Sequence, residues 1–110
     1  MDSLTKAIVA VSLGLFGASA TSAFAQSRWD AEHPRRAEVN ERLAVQNFRI
    51  NQRLREGELT PAQAYRLHNE DRTIRREERA MASFDHGHIT RAEQRALNQE
   101  ENVVSRRIGF

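Results

Sequence analysis

Large apolar residues recur along the second half of the chain at helical spacing, separated by two short polar stretches of closely similar order. Leu67, Ile74 and Met81 follow one another every seven positions, with Ala64 and Phe84 at the ends of the row. Leu97, Val104 and Ile108 form a comparable row, flanked by Val103. Upstream, Asn40, Leu43, Asn47, Ile50 and Leu54 are spaced alternately three and four apart, a coiled-coil-like seam with two polar members. No stretch alternates with period two over a useful length, so strands are not expected. The pattern predicts three helices, at about 34–55, 61–83 and 91–107.

The stretches between the rows are copies of one another. Gly57-Glu58-Leu59-Thr60-Pro61-Ala62-Gln63 aligns with Gly87-His88-Ile89-Thr90-Arg91-Ala92-Glu93 at an offset of 30, and the match runs on through Leu67/Leu97, Glu70/Glu100, Ile74/Val104 and Arg76/Arg106. Each glycine can take the left-handed conformation that ends a helix. Thr60 and Thr90 then stand as N-caps, with Gln63 and Glu93 three residues on to complete a capping box. Pro61 falls at the first helical position, where a missing N–H costs nothing. Each copy therefore reads as stop, turn, start.

Short turns between long helices favour antiparallel neighbours. The expected fold is all-α: a three-helix antiparallel (up-down) helical repeat occupying residues 34–110. The apolar stripes are narrow for a helix that must pack on two neighbours, which points to a loose bundle or to self-association. Asn40 and Asn47 resemble the polar seam positions that fix pairing in coiled coils, so a weak homodimer through the first helix is expected.

The start of the chain has a different character. Lys6 and the amino terminus are followed by the apolar run Ala7–Ala20 and then by Ala23-Phe24-Ala25, the pattern of a cleavable export signal. Residues 1–25 are read as a signal peptide and 26–33 as a flexible N-terminal segment. No cysteine follows the apolar run to carry a lipid. The run is short and interrupted by Ser and Gly, so no stable membrane insertion is expected after cleavage. A periplasmic or secreted protein follows from this reading.

Composition narrows the function. Lys6 is the one lysine, so arginine supplies every basic residue after the export signal, and the whole chain carries a formal net charge of only +2. Acids and arginines alternate instead of segregating to one face, which argues against nucleic acid as a partner. With no cysteine, no phosphate-binding glycine loop and no nucleophile motif, the chain reads as a non-enzyme requiring no cofactor.

Three features invite chemistry. The stretch from Asp85 to Glu93 resembles the second half of a calcium-binding loop, but Ala82, Phe84 and His86 occupy the first, third and fifth ligand positions, where carboxylates are needed. His86 and His88 flank a glycine beside Asp85 and are candidate ligands for a transition metal. Arg72, Arg75, Arg76 and Arg79 form a basic stripe that calls for compensating acids, with Asp71 placed to meet Arg75 and Glu100 and Glu101 placed to reach across. That stripe reads either as a solvated face laced with ion pairs or as a docking face for an acidic partner, such as an unfolded protein or lipid phosphate.

Leu59-Thr60-Pro61-Ala62-Gln63 matches the LTxxQ motif of the small periplasmic helical proteins related to the Spy and CpxP stress proteins, and Ile89-Thr90-Arg91-Ala92-Glu93 is a degenerate second copy. The chain resembles that family in its export signal, size and helical pattern, and lacks its Met-rich stretches. The resemblance implies ATP-independent chaperoning or envelope-stress sensing, with dimers forming a curved cradle for client proteins. The chain also resembles uncharacterised exported proteobacterial proteins built on repeated G-x-[LI]-T turns. The expected function is non-catalytic binding of proteins or envelope components. The alternatives are a metal-responsive periplasmic protein using His86 and His88, or a structural envelope protein.

Overall fold

The computed structural model describes residues 25–109. The expected export signal lies outside the described residues except for Ala25. All regular structure among the described residues is helical, in four helices.

Helix α1 covers 25–32 and belongs to a unit of its own, with Gln26 Nε2 donating to Asp30 Oδ1 at 2.9 Å. Residues 26–32 of the expected N-terminal segment are therefore helical. The second unit holds α2 (Pro34–Arg55), α3 (Pro61–Ser83) and α4 (Arg91–Ile108). Arg36 near the start of α2 meets Glu78 near the end of α3, so these two helices run antiparallel. Gln94 meets Glu38, and Ser105 meets Arg49, so α4 runs parallel to α2.

The helix boundaries have visible local causes. At the end of α2, Gly57 takes φ +77°, while Glu58 N–H donates to the Arg53 carbonyl at 2.9 Å and Gly57 N–H to the Leu54 carbonyl at 3.1 Å. This pair of bonds is a Schellman stop, which satisfies carbonyls the helix leaves open. Thr60 Oγ1 then accepts from Gln63 N–H at 3.1 Å, and Gln63 Oε1 accepts from Thr60 N–H at 2.8 Å. Thr90 and Glu93 repeat both bonds at the same two distances.

The second stop differs from the first by one residue. Gly87 N–H donates to the Ala82 carbonyl at 2.8 Å, spanning as many residues as the Glu58–Arg53 bond. His86, at φ +53°, therefore holds the left-handed position that Gly57 holds in the first turn. The aligned glycine, Gly87, follows it, also at positive φ.

The core runs through Val39, Leu43, Ile50, Leu67, Ile74, Leu97, Val104 and Ile108, all fully or almost fully buried. Leu59 and Ile89, the aliphatic members of the two turn motifs, join it from the loops. Leu43 and Ile50 of the expected seam are buried within the chain, and Asn47 Oδ1 lies 2.7 Å from His68 Nδ1. One expectation is corrected here. Phe84 and Val103, expected in the apolar rows, are 87% and 45% exposed.

Candidate functional site

Helix α3 turns Ala64, Leu67, Asp71, Ile74, Glu78 and Ala82 inward. A turn of about 100° per residue leaves Tyr65, Arg72, Arg76 and Arg79 on its opposite side. All four are exposed, Tyr65 at 64%. Arg75 lies nearer the core boundary and is half-buried.

Neutral side chains brace this face. Arg72 donates to Asn69 Oδ1, and Arg76 Nη2 donates to Thr73 Oγ1 at 3.4 Å. Among the described residues no ion pair reaches Arg72, Arg75, Arg76 or Arg79; the pairs that form use Arg36, Arg42, Arg53 and Arg107. The acids expected to compensate the stripe are engaged elsewhere. Asp71 is 2% exposed and neither of its carboxylate oxygens has a hydrogen-bond partner. Arg75 acts on it only through its charge. Glu100 lies beside Glu77, and burial followed by that neighbour pushes its carboxyl up to about 7. Glu101 is fully buried beneath Arg42 of α2.

A shallow apolar groove lies alongside, between α3 and α4, with Thr73, Ile74, Val103 and Val104 in its lining and Glu70 and Glu100 also bordering it. Thr73 belongs to both features, since it also holds Arg76.

His86 and His88, the candidate metal ligands, both lie in the turn between α3 and α4. His88 is exposed and its ring stacks on that of His33, with centroids 4.8 Å apart and planes inclined by 19°. His86 is exposed on its left-handed backbone. Among the described residues no group of three or more His, Cys, Asp or Glu side chains is placed to hold a metal ion. His68 lies between Asn47 and Asn51 of α2, at 2.7 and 2.9 Å. Burial, then the charge of Arg72, hold its imidazole below the ordinary value.

Interior polar residues are what sequence analysis missed. Gln46, Asp71, Glu78 and Glu101 are all at most 3% exposed. Glu78 is paired with Arg36, which also donates to the Gly87 carbonyl at 3.0 Å. Gln46 Nε2 donates to the Glu101 carbonyl at 2.6 Å. The signal that could have found Asp71 and Glu101 was present: each stands four residues after a core Leu and three before a core Ile or Val.

Comparison with known proteins finds no matching protein family, no matching curated protein and no matching solved structure.

Proposed function

We propose that this chain is an exported, non-catalytic helical repeat protein that binds acidic segments of other proteins on the outer face of α3. One observation carries the reading: Arg72, Arg76 and Arg79 share an exposed face with Tyr65, and no carboxylate among the described residues pairs with them. Like charges held together in this way repel by a few tenths of a kcal/mol per pair, a cost that an acidic partner would relieve. Tyr and Arg are the residue types enriched where protein interfaces concentrate their energy. The neighbouring α3–α4 groove offers an apolar surface for a flanking side chain of the same partner.

A periplasmic or secreted location follows from the export signal read in residues 1–25, and the chaperone-like role from the resemblance to the LTxxQ stress proteins. The test is the aggregation of a denatured acidic client protein, followed by light scattering with and without this protein. Delay by the natural protein, lost in an Arg72→Gln/Arg76→Gln/Arg79→Gln variant, supports the reading. Equal behaviour of the two proteins contradicts it. A mature mass beginning at Gln26 supports the export reading, and retention of residues 1–25 contradicts it.

A further inference from the structure

Each helix of the second unit carries a polar residue within its buried aliphatic stripe, and α3 carries a second, Glu78, which is paired with Arg36. Gln46 stands between Leu43 and Ile50, Asp71 between Leu67 and Ile74, and Glu101 between Leu97 and Val104, every one of them buried. Gln46 ties α2 to the backbone of α4 at Glu101. Both carboxylate oxygens of Asp71, both of Glu101 and the amide oxygen of Gln46 are buried without a hydrogen-bond partner. Unpartnered buried carboxylates are costly when charged and much less so when protonated.

The groups facing this cluster do not supply the missing compensation. From α2 come Arg42 and Glu38; from α3, Asp71 with Glu70 and Arg75 beside it; from α4, Glu100. Arg42 approaches Glu101 Oε1 only to 3.5 Å and also donates to Asn102 Oδ1. A second feature gives the charge somewhere to go. A groove between α2 and α4 has Arg42, Gln46, Arg49 and Ser105 in its lining, and so reaches the side chain that bonds the Glu101 carbonyl.

We propose that Asp71, Glu101 and Gln46 form a proton-operated latch: protonated carboxyls keep α4 seated on α2 and α3, and their ionisation admits water along the α2–α4 seam. The shifts of the two acids run in the same direction. Burial, then Glu70, pushes Asp71 up to about 7 against the pull of Arg75. Burial pushes Glu101 up to about 8, with Arg42 opposing and the acids Glu38, Asp71 and Glu100 adding to the rise. The bundle is thus tightest in acid and loosens on the alkaline side of neutrality. This inference is independent of what the α3 face binds.

The test compares the natural protein with Asp71→Asn/Glu101→Gln, whose neutral side chains imitate the protonated state. Urea unfolding at pH 5 and pH 9 should show the unfolding constant of the natural protein rising at least about a hundredfold, and that of the variant staying level. Corrected amide exchange should lose protection first over residues 97–104. A change below about threefold in the natural protein, or the same slope in the variant, overturns the latch. Carbon-13 titration of the Asp71 and Glu101 carboxyls in the natural protein gives an answer that needs no variant. Midpoints above 6 support the latch, and midpoints near 4 overturn it.

Discussion

Asp71 and Glu101 occupy the same slot of the internal repeat, 30 positions apart, and both lie inside the bundle with none of their four carboxylate oxygens hydrogen-bonded. A repeat that preserves a buried acid in each copy couples the packing of α3 and α4 to proton concentration. An unfolded carboxyl ionises near pH 4, whereas the folded chain holds these protons to about 7 and about 8. The native state therefore binds more protons than the unfolded state across that window. The stabilisation is complete below pH 4 and is lost as pH rises through the folded values.

His68 works in the opposite sense. Its depressed value means that the folded chain resists protonation, so its contribution is lost as pH falls through the ordinary imidazole range. The raised acids outnumber it, so the thermal midpoint should fall as pH rises from 4.5 to 8, least steeply where His68 titrates. Melts at constant ionic strength from pH 4.5 to 9 check this. A midpoint that rises steadily toward pH 8 contradicts it.

Both capping boxes should contribute measurably and alike. Thr60→Ala and Thr90→Ala remove one amide partner each, and each should lower stability by about 1 kcal/mol in urea unfolding. Thr60→Ser should recover most of that loss, because it keeps the accepting oxygen.

The two helix stops should respond differently to substitution. A Cβ at Gly57 meets nothing within 4 Å, so Gly57→Ala isolates the left-handed backbone at φ +77° and should cost about 1–2 kcal/mol. His86 already bears a side chain in that conformation. His86→Gly should be neutral or stabilising by less than about 1 kcal/mol, strain relief being partly offset by the added freedom of the unfolded chain. Chemical denaturation of both variants measures the contrast.

The helix ends were legible because their causes are local: glycine, threonine, proline and Gln63 or Glu93 act within a few residues of one another. The all-helical class was legible from the spacing of Leu67, Ile74, Leu97 and Val104. The interior acids were not, since Asp71 and Glu101 lie on the same stripes as those aliphatics and a carboxylate ordinarily marks a surface position. Only the packing of three helices distinguishes an acid that is covered from one that is solvated. The arginine stripe was legible as a row on α3, but its lack of acidic partners was not. That depends on Asp71 facing inward, Glu100 meeting Glu77, and Glu101 lying under Arg42. The shift from Gly87 to His86 was hidden because the repeat aligns glycine with glycine.

The α2 seam gives a sharp contrast between core and surface. Leu43 is fully buried, so Leu43→Ala should destabilise the protein by about 2–5 kcal/mol. Phe48, 61% exposed on the same helix, should tolerate Phe48→Ala within about 0.5 kcal/mol. Because Leu43 and Ile50 pack within the chain, neither substitution should change the sedimentation coefficient of the folded protein. Dissociation of an oligomer by Leu43→Ala under conditions where it remains folded would contradict that placement.

The measurement that bears most directly on function is the binding of a fluorescent glutamate-rich peptide, followed by anisotropy at low and high salt. The natural protein should bind it, with affinity falling as salt screens the arginines. Arg72→Gln/Arg76→Gln/Arg79→Gln should weaken binding about tenfold or more, from contributions of up to about 1 kcal/mol for each lost charge pair, while helicity and thermal midpoint are retained. A parallel Arg106→Gln/Arg107→Gln variant on α4 should bind nearly as the natural protein does. No binding by the natural protein, or equal loss in both variants, would contradict a docking face on α3.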